Sequence, residues 1–506
     1  MARGEVKEQG IPADILGPRL LLIIDVLALV LLGCVMVYSA STVEAISDGV
    51  STTSYLTDQV MFAIIGIVAA VIVWKLIPCS VWRGPAVWVI WGIALALLVA
   101  TAVAGTSELG AQRWLSIGPI SLQPSEFAKI AFVLMAARIM DDYRNYRIST
   151  RALFIQLLVT ILAPILLIYA SQSDLGTTLI CLIGILAVMW MAEVPLRYIL
   201  TVVGAGVVFA LIAIFTTGYR SDRFVYLDPW NDGENGYGSG WQIIHSYYAF
   251  AEGGIFGVGL GNSREKYLYL PEAETDFIYA IIGEELGLIG SVSVIVMFLL
   301  LLYAGMRIAH SAVDNFSAMI AGSLTIMIVF QAFLNMGCVI GLLPTTGKPL
   351  PFLSSGGSSL IATLIMIGLI LSVSEESSSP AVYERRRREL RIVSVADEDR
   401  EGSYSRPSSR PSGSRGESPH IAFRGLDGRE QARLAGPRLA GPPAKLRGRA
   451  GARSPRASQG STKLRREGFV GGGAAALTAA DFRAFRFRGG TGTDGGSGLA
   501  SRPGRR

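Results

Sequence analysis

A cluster of carboxylates is the set of residues in this 506-residue chain best suited to chemistry. Glu272, Glu274 and Asp276 lead directly into an apolar run, and Glu284 and Glu285 follow inside that run. A charged carboxylate at membrane depth costs about 2.5–3.5 kcal/mol on insertion scales, so such residues usually line a polar cavity. In one continuous helix, Asp276 and Glu284 would lie about two turns apart and within a right angle of the same face. This pattern predicts a functional site with Asp276 at its opening.

Helix capping is an alternative explanation for the acids that precede the run. Thr275 or Asp276 could accept hydrogen bonds from the free amides at the start of a helix. Capping accounts for one acid, whereas five acids lie between positions 272 and 285, so we interpret Asp276 as functional. Glu284 and Glu285 stay open, because pairing with a lysine on a neighbouring helix would explain either of them equally well.

Candidate cations lie in two nearby segments. The run 123–126 (Gln-Pro-Ser-Glu) is typical of a helix start, with proline in the first turn and an acid near the positive end of the dipole. Lys129 lies one turn deeper in an apolar run, where its ammonium group needs a partner. Arg113 and Trp114 come shortly before, and such a pair can simply anchor a helix at the membrane interface. Beside Lys129, Arg113 would also suit an anionic headgroup such as pyrophosphate.

Asp174 and Lys348 complete the set of candidates. Asp174 lies in SQSDLGTT (171–178), where a helix cap is expected, and capping and a functional role explain it equally well. Lys348 lies in LPTTGKPLPFLSSGGSS (343–359). This segment is either a rigid loop between two helices or the wall of a cavity, and the lysine favours the cavity.

Two other features are expected to be structural. The glycines at 253–261 resemble a nucleotide-binding loop, but no strand precedes them and no βαβ unit follows, so we predict tight turns. Asp25, inside the first apolar run, is expected to pair with the nearby Arg19.

Composition divides the chain into two regions. Residues up to about 373 consist mostly of apolar runs near the roughly 20 residues that cross a bilayer, and the whole chain is 51% hydrophobic with a mean hydropathy of +0.46. The remainder is rich in Ser, Gly, Pro and Arg and cannot bury a core. We therefore predict a cytoplasmic N-terminal segment (1–18), a polytopic membrane domain (19–376) and a disordered basic cytoplasmic tail (377–506).

Charge and cysteine content argue against several classes of function. The net charge of +6 does not indicate a nucleic-acid partner, because the basic excess is concentrated in the tail and in short loops, where anionic lipid explains it. The four cysteines show no CxxC spacing and there are three histidines, which argues against a disulfide framework or a His/Cys metal site.

Window hydropathy predicts an all-α integral membrane protein with about ten transmembrane helices. The predicted spans are 19–39, 60–77, 86–104, 124–139, 153–170, 175–191, 198–216, 276–303, 316–340 and 359–373.

The distribution of Lys and Arg predicts the orientation of these spans. Only one basic residue, Arg113, occurs in the first, third and fifth loops (41–59, 105–123 and 171–174), whereas the alternate loops and the tail are basic. Both termini are therefore predicted to be cytoplasmic. Parity places the large loop 217–275, between helices seven and eight, outside. The connections that carry the candidate residues then meet on the external face.

Taken together, the motifs resemble the SEDS family (shape, elongation, division and sporulation), to which FtsW, RodA and SpoVE belong. They occur in family order, cover nearly all of residues 20–373, and have no counterpart in the tail. The opening segment and the closing loop are more similar to division-type than to elongation-type members. The matching segments are VMVYSAS (35–41), GAQRWL (110–115), LQPSEFAKI (122–130), SDLGTTL (173–179), DPW (228–230), GWQIIHS (240–246), GGIFGVGLGNS (253–263), YLPEAETDFIYAIIGEELG (269–287) and GLLPTTGKPLPFLSSGGSS (341–359).

The resemblance implies a ten-helix peptidoglycan glycosyltransferase in the bacterial cytoplasmic membrane. Such an enzyme polymerises lipid II outside that membrane, with a class B penicillin-binding protein and other divisome proteins as partners. The essential aspartate of the family's TDF segment corresponds to Asp276, and its RW arginine corresponds to Arg113. The PSExxK lysine corresponds to Lys129 and the DLGT aspartate to Asp174. The position before TDF is often histidine in the family and is Glu274 here, so no role of that histidine carries over.

The implied reaction fits the candidate residues. A sugar hydroxyl must displace undecaprenyl pyrophosphate from an anomeric carbon, which needs a carboxylate base and cations for the leaving group. Asp276 is the predicted base. A divalent cation, Mg²⁺ or Mn²⁺, is compatible with this chemistry, but the sequence does not require one. The predicted substrate-binding residues are Arg113, Lys129, Asp174, Lys348 and Glu284.

Three other functions compete with division-type polymerisation. A lipid II flippase would more often show matched broken helices in two repeated halves, whereas this sequence shows no such repeat and its acids cluster toward one face. An elongation-type polymerase would use the same residues. The only distinctive feature that favours a non-catalytic scaffold is the tail.

Overall fold

The computed structural model describes residues 13–108, 111–117, 120–172, 174–216 and 225–378. Most of the predicted N-terminal segment (1–18) and all but the first two residues of the predicted disordered tail (377–506) lie outside these ranges.

Helices make up most of the described chain. The π-helical turn Leu158–Leu162 joins α6 to α7, so that these two helices form one span. Short 3₁₀ turns at 225–227 and at Pro229–Asn231 lie between α9 and α10. The α-helices are α1 (Ala13–Ser47), α2 (Ser54–Leu76), α3 (Cys79–Arg83), α4 (Ala86–Ala104), α5 (Pro124–Arg144), α6 (Thr150–Leu157), α7 (Ala163–Gln172), α8 (Leu175–Met191), α9 (Leu196–Thr216), α10 (Trp241–Gly253), α11 (Ile278–Glu285), α12 (Gly287–His310), α13 (Asn315–Val339) and α14 (Gly357–Ser377).

All ten predicted spans are mainly helical in the structure. Within the described ranges, seven helical segments are long and apolar enough to cross a membrane, and α8 and the first part of α9 are shorter apolar helices. The fourth predicted span, α5, has 21 residues but carries charged side chains along its length, including Glu126 and Lys129. The prediction of a largely helical, multi-pass membrane protein is confirmed.

The two helices at the centre of the bundle are α13 and α14. The apolar 18-residue stretches of these two helices are 78% and 83% buried inside the protein, whereas those of α2 and α4 are each 22% buried. Close contact with α14 is possible because small residues face it: a Cβ on Gly66 would overlap Leu364, and a Cβ on Gly368 would meet the Ala70 backbone. Polar groups on α13 are therefore held deep in the molecule.

An ion pair that was not predicted from the sequence joins α1 to α14. The Arg19 guanidinium lies 3.1 Å from a Glu375 oxygen and donates to the Ser374 hydroxyl at 2.9 Å. The expected pairing of Arg19 with Asp25 is therefore wrong. Asp25 is buried, and one of its carboxylate oxygens has no hydrogen-bond partner within the described ranges.

The predicted span 276–303 is divided into α11 and α12 near Gly287. Gly287 has φ +68°, and a Cβ there would overlap the backbone of Gly257 and Ile255. Asp276 lies two residues before α11 begins. The prediction that Asp276 and Glu284 share one helix face is therefore wrong, because the chain around Asp276 is not helical.

A small antiparallel sheet lies between α4 and α5, where the sequence analysis predicted only a loop. Its strands are β1 (Thr106–Glu108), β2 (Ala111–Ile117) and β3 (Ile120–Leu122), in the order β1-β2-β3. Trp114 pairs with Thr106, and Leu115 pairs with Leu122. These short strands are a minor addition to a mostly helical fold, and the middle strand is the element that carries Arg113.

Candidate functional site

A buried ion pair joins the start of α8 to the loop before α14. Lys348 Nζ lies 2.6 Å from Asp174 Oδ2, and each side chain is 1% exposed. Asp174 also caps α8, because its other oxygen accepts the Thr177 amide at 2.9 Å. Burial alone would raise the pKa of Asp174, but the charges of Lys348 and Arg113 hold it below its usual value. The two explanations left open for Asp174, capping and a charged site, therefore both apply.

Lys129 belongs to a second buried ion pair. Its ammonium lies 2.8 Å from Glu126 Oε2 and 2.8 Å from Gln331 Oε1. The partner that the sequence analysis required for Lys129 is thus Glu126, one turn earlier on α5. Because the Lys129 side chain is fully buried, its ammonium does not reach the surface near Asp276 in this structure.

Two amide side chains of α13 connect these groups. Gln331 Nε2 donates to the Pro349 carbonyl at 3.0 Å, while its oxygen accepts from Lys129. Asn335 Nδ2 donates to the backbone carbonyls of Asp276 at 2.7 Å and Lys348 at 2.8 Å. Neither amide was predicted from the sequence. Their spacing could have indicated them, because polar residues four positions apart in an apolar helix share one face.

Asp276 lies beside the same loop with a partly exposed side chain. A Cβ built on Gly347 would lie 3.4 Å from Asp276 Oδ2, so the loop backbone runs past the carboxylate. Burial raises the pKa of Asp276 to about 6, aided by Glu272, and the positive charge of Lys348 limits the rise. The capping explanation fails for Asp276, since α11 begins at Ile278 after Phe277, which makes no side-chain cap in the described chain.

Arg113 completes this group from β2. Its Nε donates to the Gln172 carbonyl at 3.1 Å. Its charge helps to lower the pKa of Asp174 and limits the rise in the pKa of Asp276. The structure therefore brings Arg113, Asp174, Asp276 and Lys348 together from four separate segments.

Helix starts also lie at this site. Helix α8 begins beside Asp174, its N-cap, and α11 begins two residues after Asp276, while the Gln123 amide donates to the Ser358 hydroxyl at 3.1 Å and so joins the starts of α5 and α14. The N-terminus of a helix carries a partial positive charge and free amides. Among the described residues, Ser125 Oγ, Glu126 Oε1 and both polar atoms of the Gln172 side chain are buried without a hydrogen-bond partner. The site thus combines cations, helix dipoles and polar groups.

Glu284 and Glu285 are engaged elsewhere. Glu284 accepts hydrogen bonds from the Ser263 hydroxyl and the Arg264 amide, both at 2.6 Å. Glu285 lies 3.1 Å from Lys266 Nζ, a lysine in the preceding loop rather than on a neighbouring helix. Both glutamates are fully buried. Glu284 therefore holds the 263–264 turn, and the structure does not bring it to the Asp276 group.

Glu274 is a further carboxyl group in the same segment. Its backbone carbonyl accepts the Ser355 amide at 2.8 Å, and burial raises the pKa of its side chain to about 7. Within the ranges that the structure describes, no group of three or more His, Cys, Asp or Glu side chains is arranged to hold a metal ion.

Comparisons with known proteins identify the family. The sequence profile of the FtsW, RodA and SpoVE family, described as "Cell cycle protein", matches residues 19–379. The "Probable peptidoglycan glycosyltransferase FtsW" of Geobacter metallireducens is 40% identical over 357 residues, which is 70% of this chain and 94% of the relative. "Stage V sporulation protein E" of Bacillus subtilis is 37% identical over 71% of this chain and 98% of its own length.

Solved structures agree with this assignment. A chain from work described as "Structural coordination of polymerization and crosslinking by a peptidoglycan synthase complex" gives a TM-score of 0.57 at 26% identity, covering 70% of this chain and 97% of that one. The rod shape determining protein RodA of Thermus thermophilus gives 0.52 at 25% identity, covering 74% and 99%. The resemblance found from the motifs is confirmed, and this chain belongs to the FtsW, RodA and SpoVE (SEDS) family of cell cycle proteins.

Proposed function

We propose that this protein is a peptidoglycan glycosyltransferase that polymerises lipid II into glycan strands during cell division. The observation that carries the proposal is the position of Asp276, a carboxylate with a raised pKa that lies against Gly347 of the loop and within the field of Lys348 and Arg113. Relatives at 36–40% identity that carry the name FtsW support the same activity.

The proposed reaction uses Asp276 as the general base. The acceptor sugar hydroxyl forms a bond to the anomeric carbon of the donor, and the bond from that carbon to the pyrophosphate oxygen breaks. The hydroxyl proton passes to the Asp276 carboxylate, and undecaprenyl pyrophosphate leaves with the electron pair. A general base is most effective when its pKa is close to the operating pH. Burial raises the pKa of Asp276 to about 6.

The leaving pyrophosphate would be stabilised by Arg113, by the positive charge of Lys348 and by the N-terminus of α8, which begins beside Asp174. The Lys348 ammonium is enclosed and lies 2.6 Å from Asp174, so Lys348 would act through its charge. For Lys129, the enclosed ammonium supports an indirect role in place of direct binding, because it reaches the loop at Pro349 through Gln331.

A divalent cation, Mg²⁺ or Mn²⁺, would supply further neutralisation of the charge that develops on the leaving group, in addition to that of the two cationic side chains. Returning either ion to protein treated with a chelator should then raise the polymerisation rate without removing the requirement for Asp276.

The proposed setting is the external face of the bacterial cytoplasmic membrane, with both termini in the cytoplasm. The asymmetry of Lys and Arg in the short loops supports this orientation. The proposed protein partners are a class B penicillin-binding protein and divisome proteins. Similarity to a chain of a peptidoglycan synthase complex supports a partner of that kind.

The decisive experiment supplies purified protein with labelled lipid II, with and without a class B penicillin-binding protein, and separates the glycan products by size. Polymer formation is the expected result. In parallel, lipid II movement across vesicles containing the protein tests the flippase alternative. Lipid II transport without polymer under any of these conditions would overturn the proposal.

A further inference from the structure

Helix α13 carries two buried amide side chains that the proposed reaction does not use directly. Gln331 and Asn335 are 3% and 2% exposed and lie one turn apart, near the end of α13 that faces Asp276. Burying an amide costs free energy unless it is hydrogen-bonded. Asn335 Oδ1 has no partner within the described ranges, so the bonds donated by its NH₂ group must offset that cost. Those bonds all lead to the loop and side chains of the site.

Asn335 holds two segments of the site with one NH₂ group. It donates to the Asp276 carbonyl at 2.7 Å and to the Lys348 carbonyl at 2.8 Å. Both donors of the amide are thereby used, one for the segment of the base and one for the segment of the cation. No other side chain in the described ranges donates to both of these carbonyls.

The loop around Lys348 is otherwise irregular and close to the base. Residues 344–350 have no helical or strand structure, and Gly347 has φ +65°. The Gln331 amide donates to the carbonyl of Pro349, the residue after Lys348, at 3.0 Å. A rigid central helix therefore determines where the loop passes the Asp276 carboxylate.

We propose that Asn335 is a positioning residue that fixes the separation between the Asp276 carboxylate and the Lys348 ammonium, with Gln331 holding the adjoining part of the loop. The inference rests on the proposed role of Asp276 as the base. It adds the reason why base and cation keep one geometry although they come from distant parts of the chain. A misplacement of about 1 Å can cost on the order of 100-fold in rate.

The direction in which the pKa of Asp276 would change if this geometry were lost can be predicted. Lys348 and Arg113 favour the charged form of Asp276, and the carboxylates around it oppose that form. If Lys348 moves away, the pKa of Asp276 rises and the acid limb of the rate profile moves to higher pH. The charged groups around Asp276 are Lys348 on the loop, Arg113 on β2, Asp174 at α8, and Glu272 and Glu274 on its own segment.

The test compares Asn335→Leu with a matched control on the same helix. Leucine is close to asparagine in size and donates nothing, so both bonds are lost. Thr325→Val is the control, because Thr325 is also buried on α13 and bonds only to the Ala321 carbonyl of its own helix. Initial rates of lipid II polymerisation are measured across pH in detergent, together with the thermal stability of each protein.

For Asn335→Leu we expect kcat to fall about 10- to 100-fold with little change in KM, and the acid limb to move to higher pH. Thr325→Val should retain the wild-type rate and profile. If Asn335→Leu fails to fold, Asn335→Ser provides the same test, since a hydroxyl can replace one of the two bonds at most. Wild-type kcat, or a loss matched by the loss of folded protein with the acid limb unmoved, would overturn the inference.

Asp276→Asn in the same assay separates this inference from the proposed function. Polymerisation by folded Asp276→Asn at the wild-type rate would refute the role of the base, and the positioning role with it. An inactive Asp276→Asn together with a fully active Asn335→Leu would refute the positioning role alone.

Discussion

At the residue scale, the environment of Asp276 distinguishes it from the other acids of its segment. It is the carboxylate that lies against Gly347 and within the field of both Lys348 and Arg113. Glu274, two residues earlier, feels mainly burial and other carboxylates. Two neighbouring carboxyl groups thus have different surroundings, which is how acid–base roles are separated in a site.

Replacing Asp276 by asparagine keeps the shape of the side chain and removes the base. We expect the polymerisation rate to fall by about 10²–10⁴, the usual contribution of a general base. The protein should still fold, because loss of a half-buried charge removes a desolvation cost. Initial rates on labelled lipid II, at matched amounts of folded protein, measure the effect.

Glu274→Gln is the matched control for this substitution. It changes a neighbouring carboxyl group that has no cation among the main influences on its pKa, so its effect should be mild. An active Asp276→Asn beside an inactive Glu274→Gln would move the base two residues upstream.

The pH dependence of the reaction follows from the raised pKa of Asp276. The base must be deprotonated, so kcat/KM for lipid II should be low in acid and rise through about pH 6, the pKa of this carboxyl group. The residual activity of Asp276→Asn should lack this acid limb. A limb of unchanged position in that variant would assign the titration to another group.

At the scale of the elements, the break between α11 and α12 fixes the far end of the short helix that follows Asp276. The α11–α12 junction is clamped by the glycine loop, where the amides of Val258 and Gly259 donate to the carbonyls of Glu284 and Glu285 at 3.0 Å. Gly287 permits this contact through its positive φ and the absence of a Cβ. The glycines predicted to form tight turns thus pack against the helix that follows Asp276.

Gly287→Ala should therefore destabilise the protein. A Cβ at this position meets the backbone of Gly257 and Ile255, and φ +68° is costly for alanine, by about 1–3 kcal/mol. We expect a lower thermal unfolding temperature in detergent. Gly204→Ala on α9 is the control, because a Cβ there has no atom within 4 Å. Equal stability of the two variants would show that the junction tolerates a side chain.

At the scale of the whole molecule, the membrane domain contains every residue of the proposed site. The family match ends at residue 379, and the sequence beyond it is poor in large apolar residues. Truncation after Ser378 should therefore leave polymerisation of lipid II in detergent largely intact. A truncated protein that inserts into the membrane normally but makes no polymer would assign the tail to the enzyme.

The orientation predicted from basic residues is testable by reporters at two positions. A reporter after Ser377 should indicate the cytoplasm, and a reporter at Asn235, in the large loop, should indicate the exterior. A reporter at Asn235 that is active only in the cytoplasm would contradict the proposed external site.

The helical membrane architecture and the family could both be predicted from the sequence, which also singled out the Asp276 segment as a candidate site. These predictions rest on local properties, since the length of an apolar run and the presence of a motif can be read without knowing what lies opposite. The helical spans needed only hydropathy, and Asp276 was chosen from acids next to an apolar run.

Which charged groups meet depends on how the helices pack in the folded protein. Lys129 was found to pair with Glu126, Arg19 with Glu375 rather than Asp25, and Glu284 with a distant turn. Asn335 went unnoticed because an amide in an apolar run gives no sign of what it bonds to. Ion pairs and hydrogen bonds depend on separations of about 3 Å between residues far apart in the chain, and helix packing sets those separations.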